Sequence, residues 1–176
     1  MLFSDRSLWT MLHGLVLSGG ALMLLVAALF ALRAMAAPEG SIIAARQSNA
    51  FAWLTTAIAA LLWLSVLGGT YIIFPMYRAT PPEGLASLAE YPRALLMSSA
   101  DTRWLHAFGM EIKEHMPWIA AMLATAAAVV ARRHRATILA DAGLRRVTGS
   151  LLAIVLGLVS FVALLGVFVN KVAPLW

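Results

Sequence analysis

The chain has 176 residues, of which 62% are hydrophobic and only 12% are charged, and its formal net charge is +5. Soluble domains are close to half apolar and a quarter charged, so this composition excludes an ordinary soluble domain and predicts an integral membrane protein. The sequence contains no cysteine, which excludes disulfides, covalently attached c-type haem and cysteine-ligated iron–sulfur clusters.

Four hydrophobic segments are long enough to cross a bilayer, which takes about 20 apolar residues of helix. They span residues 8–32, 51–75, 104–131 and 147–170. We therefore predict an all-α fold, a four-helix transmembrane bundle that forms a single membrane domain over residues 1–176. The first segment is too long, and the residues before it too weakly basic, for a cleaved signal peptide.

The charges of the loops predict the orientation of the bundle. Residues 132–146 carry five arginines against a single Asp141, and loops rich in arginine remain in the cytoplasm. This places the long loop 76–103 and both termini on the outer side of the cell's inner membrane. Because the basic residues cluster between membrane segments, the positive charge indicates topology in a lipid bilayer and argues against a nucleic-acid partner.

The third segment begins with an unusual concentration of ionisable residues. Two histidines, two glutamates and a lysine lie within ten residues there: His106, Glu111, Lys113, Glu114 and His115. Such side chains are costly at membrane depth, so those that do occur there usually mark a functional site.

Polar residues of other helices fall at a similar depth. With a rise of about 1.5 Å per residue, His13 and Tyr71 lie in the outer part of the membrane, within about two turns of His115. Glu111 and His115 are four residues apart and share a helix face, whereas His106 lies on the opposite face. His13 and His115 are therefore the two histidines that we expect to approach one centre from different helices.

The first hypothesis for this site is a b-type haem with His13 and His115 as the axial ligands of its iron. A carboxylate would orient a ligating histidine, and a nearby lysine would pair with a haem propionate. The predicted cofactor-binding residues are His13, Tyr71, His106, Glu111, Lys113, Glu114 and His115.

This arrangement of histidines in a bundle resembles the small four-helix membrane b-type cytochromes, in topology and in the pattern of histidines within helices. The resemblance implies an electron-transfer subunit that binds haem b near the outer face and associates with other membrane subunits. Such a subunit would link a quinol pool to an outward-facing redox protein. A redox subunit of a complex is favoured over a stand-alone enzyme.

The sequence leaves three alternatives open. A proton or ion pathway would need ionisable groups through the whole membrane, and they are concentrated in its outer half. A quinone or metal site on the outer face would use Tyr71 or the same histidines and carboxylates, although their spacing matches no metal motif. The third alternative is a structural subunit of a larger complex. It is supported by the small residues on the last two helices, which favour helix association. The histidines also have competing interpretations: His13 as a packing histidine bonded to a carbonyl or a serine, His106 as an interfacial residue, and His115 as part of a structural ion-pair network with Lys113.

Overall fold

The structure, a computed structural model, describes residues 3–36 and 42–174. These residues form helices and connections without a β-strand, which confirms the predicted all-α fold class. Four helices are long and apolar enough to cross a membrane: α1 (Asp5–Ala34), α2 (Ile42–Arg78), α4 (Leu105–Arg133) and α6 (Ala142–Val172). Two short helices lie in the connections, α3 (Pro92–Met97) before α4 and α5 (Arg135–Ala140) after it. The chain is thus a multi-pass membrane protein.

The four long helices form a closed ring in which each packs against the next. Helix α1 contacts α2, α2 contacts α4, α4 contacts α6, and α6 returns to α1. Consequently α1 and α4 stand diagonally across the bundle interior. The core between them is built from buried aliphatic and small side chains, such as Leu25, Ile58, Ala124 and Leu152, and the small ones allow the helices to approach closely.

The second helix begins earlier than predicted, at Ile42 and not at Phe51, because the polar residues 46–49 interrupt the hydrophobic run between the two. They are stabilised by contacts outside the hydrophobic stretch. The Arg135 side chain donates from Nε to Ser48 Oγ at 2.7 Å and from Nη2 to the Ala45 carbonyl at 3.1 Å. These contacts join α5 to α2. The basic segment 132–146, which was predicted as a loop, contains the end of α4, α5 and the start of α6.

Three of the long helices widen into π-helix near one end of the bundle. The π segments are Leu12–Gly19 in α1, Gly69–Ile73 in α2 and Leu105–Met110 in α4. The segment in α2 is followed by Pro75, which has no N–H and interrupts the α-helical pairing. His13, Tyr71 and His106 each lie in one of these segments. We call this the histidine end and the opposite end, with Arg33, Arg132 and Arg145, the arginine end; π turns occur frequently at functional sites.

Candidate functional site

A chain of hydrogen bonds fixes His13 between α1 and α2. The Ser18 hydroxyl donates to the main-chain carbonyl of His13 at 2.9 Å, and Ser18 Oγ lies 3.0 Å from Ser65 Oγ. Ser65 Oγ in turn lies 3.2 Å from His13 Nδ1. The π turn of α1 makes the first of these bonds possible, because it brings Ser18 under a carbonyl five residues earlier.

The direction of each bond in this chain follows from counting protons. A carbonyl oxygen only accepts, so the single hydroxyl proton of Ser18 is committed to the His13 carbonyl. Ser65 must then donate its own proton to Ser18, and it can only accept from His13 Nδ1. The proton of a neutral His13 ring is therefore assigned to Nδ1, and Nε2 carries the free lone pair.

The space for the His13 ring exists because residue 69 is glycine. A Cβ at Gly69 would stand 3.0 Å from Cε1 and 3.6 Å from Nδ1 of His13. From across the bundle, Lys113 on α4 comes close enough for its charge to act on His13. Its Nζ lies 3.2 Å from the position of a Cβ on Gly166, and within the described residues no carboxylate lies within 4.0 Å of it. The interior at this level thus holds an imidazole and a lysine amine, and no described carboxylate lies within salt-bridge distance of the lysine.

At the rim of the histidine end, His106 joins three helices. Its Nδ1 lies 2.8 Å from Tyr77 Oη on α2, and Arg93 on α3 donates from Nε to its Nε2 at 3.4 Å. Since the guanidinium can only donate, Nε2 is the acceptor, and Nδ1–H of the neutral ring donates to the Tyr77 oxygen. Both ring nitrogens are engaged, so His106 is closed to a metal while these bonds persist.

His115 lies on the outside of the bundle. Its Nδ1 is 2.8 Å from the main-chain carbonyl oxygen of Glu111 and 3.9 Å from the Glu111 carboxylate. The side chains of His115 and Glu111 are 73% and 65% exposed. A carbonyl that accepts from Nδ1–H fixes the tautomer in which Nε2 can ligate a metal. Among the described residues, no group bonds to that Nε2.

The structure does not bring His13 and His115 together. Lys113 is the residue of α4 that faces His13, and an α-helix turns by about 100° per residue. His115, two residues later, therefore points about 200° away, towards the outside of the bundle. A haem held between His13 and His115 of one chain does not fit this arrangement.

The predicted site residues instead fall into three groups. Inside the bundle are His13 and Lys113; at the rim are His106 and Glu114; on the outer surface of the bundle are Tyr71, Glu111 and His115. Glu114 belongs to the rim because its charge acts on both Tyr77 and His106, whereas Glu111 acts on His106 only and is exposed beside His115. Tyr71 is 70% exposed, so its ring contributes little to the interior.

Sequence reasoning missed three residues that shape these groups, Ser18, Ser65 and Arg93. A signal for the serines was present, because Ser18 and Ser65 each lie 14 residues from the arginine-end limit of their hydrophobic segment, Leu32 and Phe51 (32 − 18 and 65 − 51). Arg93 gave no such signal, since its position depends on how the connection between α2 and α4 folds back over the rim.

Comparison with known proteins gave no family model, no curated protein and no solved structure that matches this chain. Within residues 3–36 and 42–174, no group of three or more histidine, aspartate or glutamate side chains is placed to hold a metal ion. Function is accordingly inferred from the geometry of the three groups.

Proposed function

We propose that the protein is a membrane subunit of an electron-transfer complex, and that His115 ligates a b-type haem at its interface with a second membrane subunit. The observation that carries this proposal is the hydrogen bond from His115 Nδ1 to the Glu111 carbonyl. It leaves Nε2 as a lone pair directed away from the chain, as an axial ligand requires.

The exposure of this pair supports a partner in the membrane. His115 lies on a helix long and apolar enough to span the bilayer, Leu105–Arg133, yet its side chain points outward from the bundle. A titratable group that faces lipid is costly and normally pairs with another group or lines a polar site. Coverage by another subunit removes that cost, whereas an isolated bundle would retain it.

The surface around His115 has the character that a haem needs. Phe108, Ile119 and Met122 follow the same face of α4 at helical spacing, and they are 61%, 44% and 54% exposed. They would pack against the macrocycle while His115 ligates the iron, and the Glu111 carboxylate would keep the imidazole oriented. When bound, haem b supplies one-electron transfer, and the surrounding protein sets its potential.

The side of the membrane on which the haem would exchange electrons follows from the proposed orientation of the bundle. Positive charge at the arginine end favours a cytoplasmic location for that end, so the histidine end faces the outer side of the inner membrane. The haem would then pass electrons between a quinol pool and an outward-facing redox protein. The connection between α2 and α4 lies at the same end and is available to such a partner.

A second candidate uses the same observation without a cofactor. A polar side chain of a neighbouring subunit would satisfy His115 Nε2 as well as iron does, and the protein would then be a non-catalytic structural subunit of a membrane complex. Haem absorbs visible light and an amino-acid side chain does not, so a spectroscopic measurement distinguishes the two.

The deciding experiment is an absorption spectrum of the protein purified with its partners from the native membrane. The haem proposal expects a Soret band and a sharp α-band on reduction with dithionite. A featureless spectrum from an intact complex would reject the haem and leave the structural subunit as the function.

A further inference from the structure

At the arginine end, helices α2 and α4 enclose a groove on the outer surface of the bundle. The groove has a volume of about 370 Å³. Its floor and walls are mostly small or apolar, and two arginines lie at its mouth. The lining residues are Thr56, Ala59, Ala60, Trp63, Thr125, Ala128, Val129, Arg132 and Arg133.

The polar groups within this groove are already satisfied by the chain itself. Trp63 Nε1 donates to Thr125 Oγ1 at 2.9 Å, and the Thr125 hydroxyl donates to the Ala121 carbonyl at 2.8 Å. The Thr56 hydroxyl donates to the Ala52 carbonyl at 2.8 Å. The groove therefore offers an occupant an apolar surface with no open hydrogen-bonding groups, as suits a hydrocarbon chain.

The mouth of the groove, in contrast, presents positive charge in a fixed position. Arg132 donates from Nε to Thr56 Oγ1 at 2.6 Å, and its guanidinium lies 4.5 Å from the centroid of the Trp53 ring. These contacts hold the guanidinium while its two terminal amino groups stay available for a bidentate contact with a phosphate. Arg133 is exposed beside it. In the described part of the chain, neither arginine lies within 4.0 Å of a carboxylate.

We propose that this groove binds an anionic phospholipid of the leaflet at the arginine end. One acyl chain would lie along Ala59, Ala60 and Ala128, and the phosphate would bind Arg132 and Arg133. Charge complementarity favours a lipid over a packed helix as the occupant. A lipid phosphate would match Arg132 and Arg133, whereas a helix would need an acidic residue at this point of the membrane boundary. Basic pockets between transmembrane helices at the headgroup level commonly bind anionic lipids. The inference is independent of the haem.

The test is native mass spectrometry of the full chain, delipidated in detergent and offered equal amounts of dioleoylphosphatidylglycerol and dioleoylphosphatidylcholine. We expect the wild type to retain phosphatidylglycerol preferentially. Replacement of both arginines in Arg132→Gln/Arg133→Gln should weaken that retention by roughly five-fold for each arginine. Equal retention of the two lipids by the wild type, or an unchanged preference in the double variant, would overturn the proposal.

A matched pair of variants tests the acyl-chain groove separately from the charge. Ala60→Trp on α2 fills the groove, whereas Ala126→Trp places the same side chain at an exposed position of α4 outside the groove. We expect Ala60→Trp to lose one bound lipid per chain and Ala126→Trp to lose none, since lipid held elsewhere is the same in both. Equal lipid counts for Ala60→Trp and Ala126→Trp would refute the site.

A change in oligomeric mass in Ala60→Trp at a constant lipid count would show that a helix of another chain, and not a lipid, occupies the groove. If the arginine variant does not fold, this pair decides.

Discussion

The imidazole of His115 is bonded through Nδ1 to the main-chain carbonyl of Glu111, 2.8 Å away and one turn earlier on the same helix. The bond uses one ring nitrogen and directs the other outward at a depth where lipid would otherwise meet it. His13, by comparison, uses the same nitrogen to bind Ser65 inside the bundle. Two histidines at similar depth thus have the same tautomer but opposite surroundings, one in the chain's own interior and one on a surface that we assign to a partner.

The first prediction separates these two histidines by their effect on the haem. We expect His115→Gln to abolish the Soret band of the purified complex, because an amide does not replace an imidazole as an axial ligand. We expect His13→Gln to keep the band, because this residue lies in the interior and the glutamine amide can still donate to Ser65. The measurement is the pair of oxidised and reduced spectra of each complex.

The control for both variants is the yield of assembled complex on size-exclusion chromatography. A full haem spectrum in assembled His115→Gln would contradict the ligand assignment. Loss of haem from assembled His13→Gln would instead favour an interior haem, and would require the packing around Gly69 to open.

The second prediction concerns the space that Gly69 leaves for His13. A methyl group there would stand 3.0 Å from Cε1 of a ring that is also bonded to Ser65, so the ring cannot move freely aside. We expect Gly69→Ala to destabilise the bundle by about 1–3 kcal/mol through overpacking. Gly68→Ala is the matched control, because nothing lies within 4 Å of a Cβ at that position.

For the Gly68→Ala control we expect no loss of stability, and a gain of up to about 1 kcal/mol from the better helix propensity of alanine. Unfolding in detergent, followed by circular dichroism, measures both variants. Equal stabilities for the two would mean that the His13 ring is not packed against α2 as described.

The third prediction follows from the proton count in the serine chain. Each serine takes part in two bonds of the chain, but Ser65→Ala leaves the His13 Nδ1–H without its acceptor, whereas Ser18→Ala leaves the bond between His13 and Ser65 intact. We expect Ser65→Ala to cost about 1 kcal/mol, in the range of hydrogen bonds between membrane helices, and Ser18→Ala to cost less. The same unfolding measurement ranks them, and the reverse order would show that His13 is not held mainly through Ser65.

Much of the fold was predictable from the sequence, because a helix that crosses a membrane needs a long apolar stretch and this chain has four. Depth was predictable as well, since helices rise uniformly: the contacts of His13 with Gly69 and of Lys113 with Gly166 join residues at matching levels. What the sequence did not reveal was which face of each helix turns towards the bundle interior.

The rotation of a helix depends on which of its residues pack inside the bundle. An apolar face can lie against lipid or against a protein core, so hydropathy does not distinguish the two. Helical spacing alone places His115 and Lys113 on opposite faces of α4, but it does not say which of the two faces the bundle interior. The three π segments also change the direction in which later side chains point, because each shifts the register of the residues after it relative to an ideal α-helix. The polar start of α2 was missed for a different reason, since it is held by Arg135 and not by burial in lipid.

The fourth prediction tests the role of His106 at the rim. This residue binds Tyr77 and Arg93, and so attaches α3 to the bundle. We expect His106→Ala to raise the rate of tryptic cleavage after Arg93 by roughly five-fold per lost hydrogen bond, because α3 then opens more often. Tyr77→Phe removes one of the two bonds and should give an intermediate rate. The control is His134→Ala, which changes a histidine at the arginine end. If His106→Ala is cleaved as slowly as this control, contacts other than those of His106 hold α3.

The last prediction tests the orientation of the bundle, which decides the side of the membrane on which the proposed haem would meet its redox partner. The chain has no cysteine, so a single introduced cysteine reports its own side of the membrane without background. Ala86 lies in the connection between α2 and α4, Ala136 lies in α5 at the arginine end, and both are exposed. Because arginine-rich segments stay in the cytoplasm, we expect a membrane-impermeant maleimide to label Ala86→Cys in intact cells and Ala136→Cys only after permeabilisation. The opposite pattern would invert the topology and place the proposed haem on the cytoplasmic side, where its redox partner would then have to be sought.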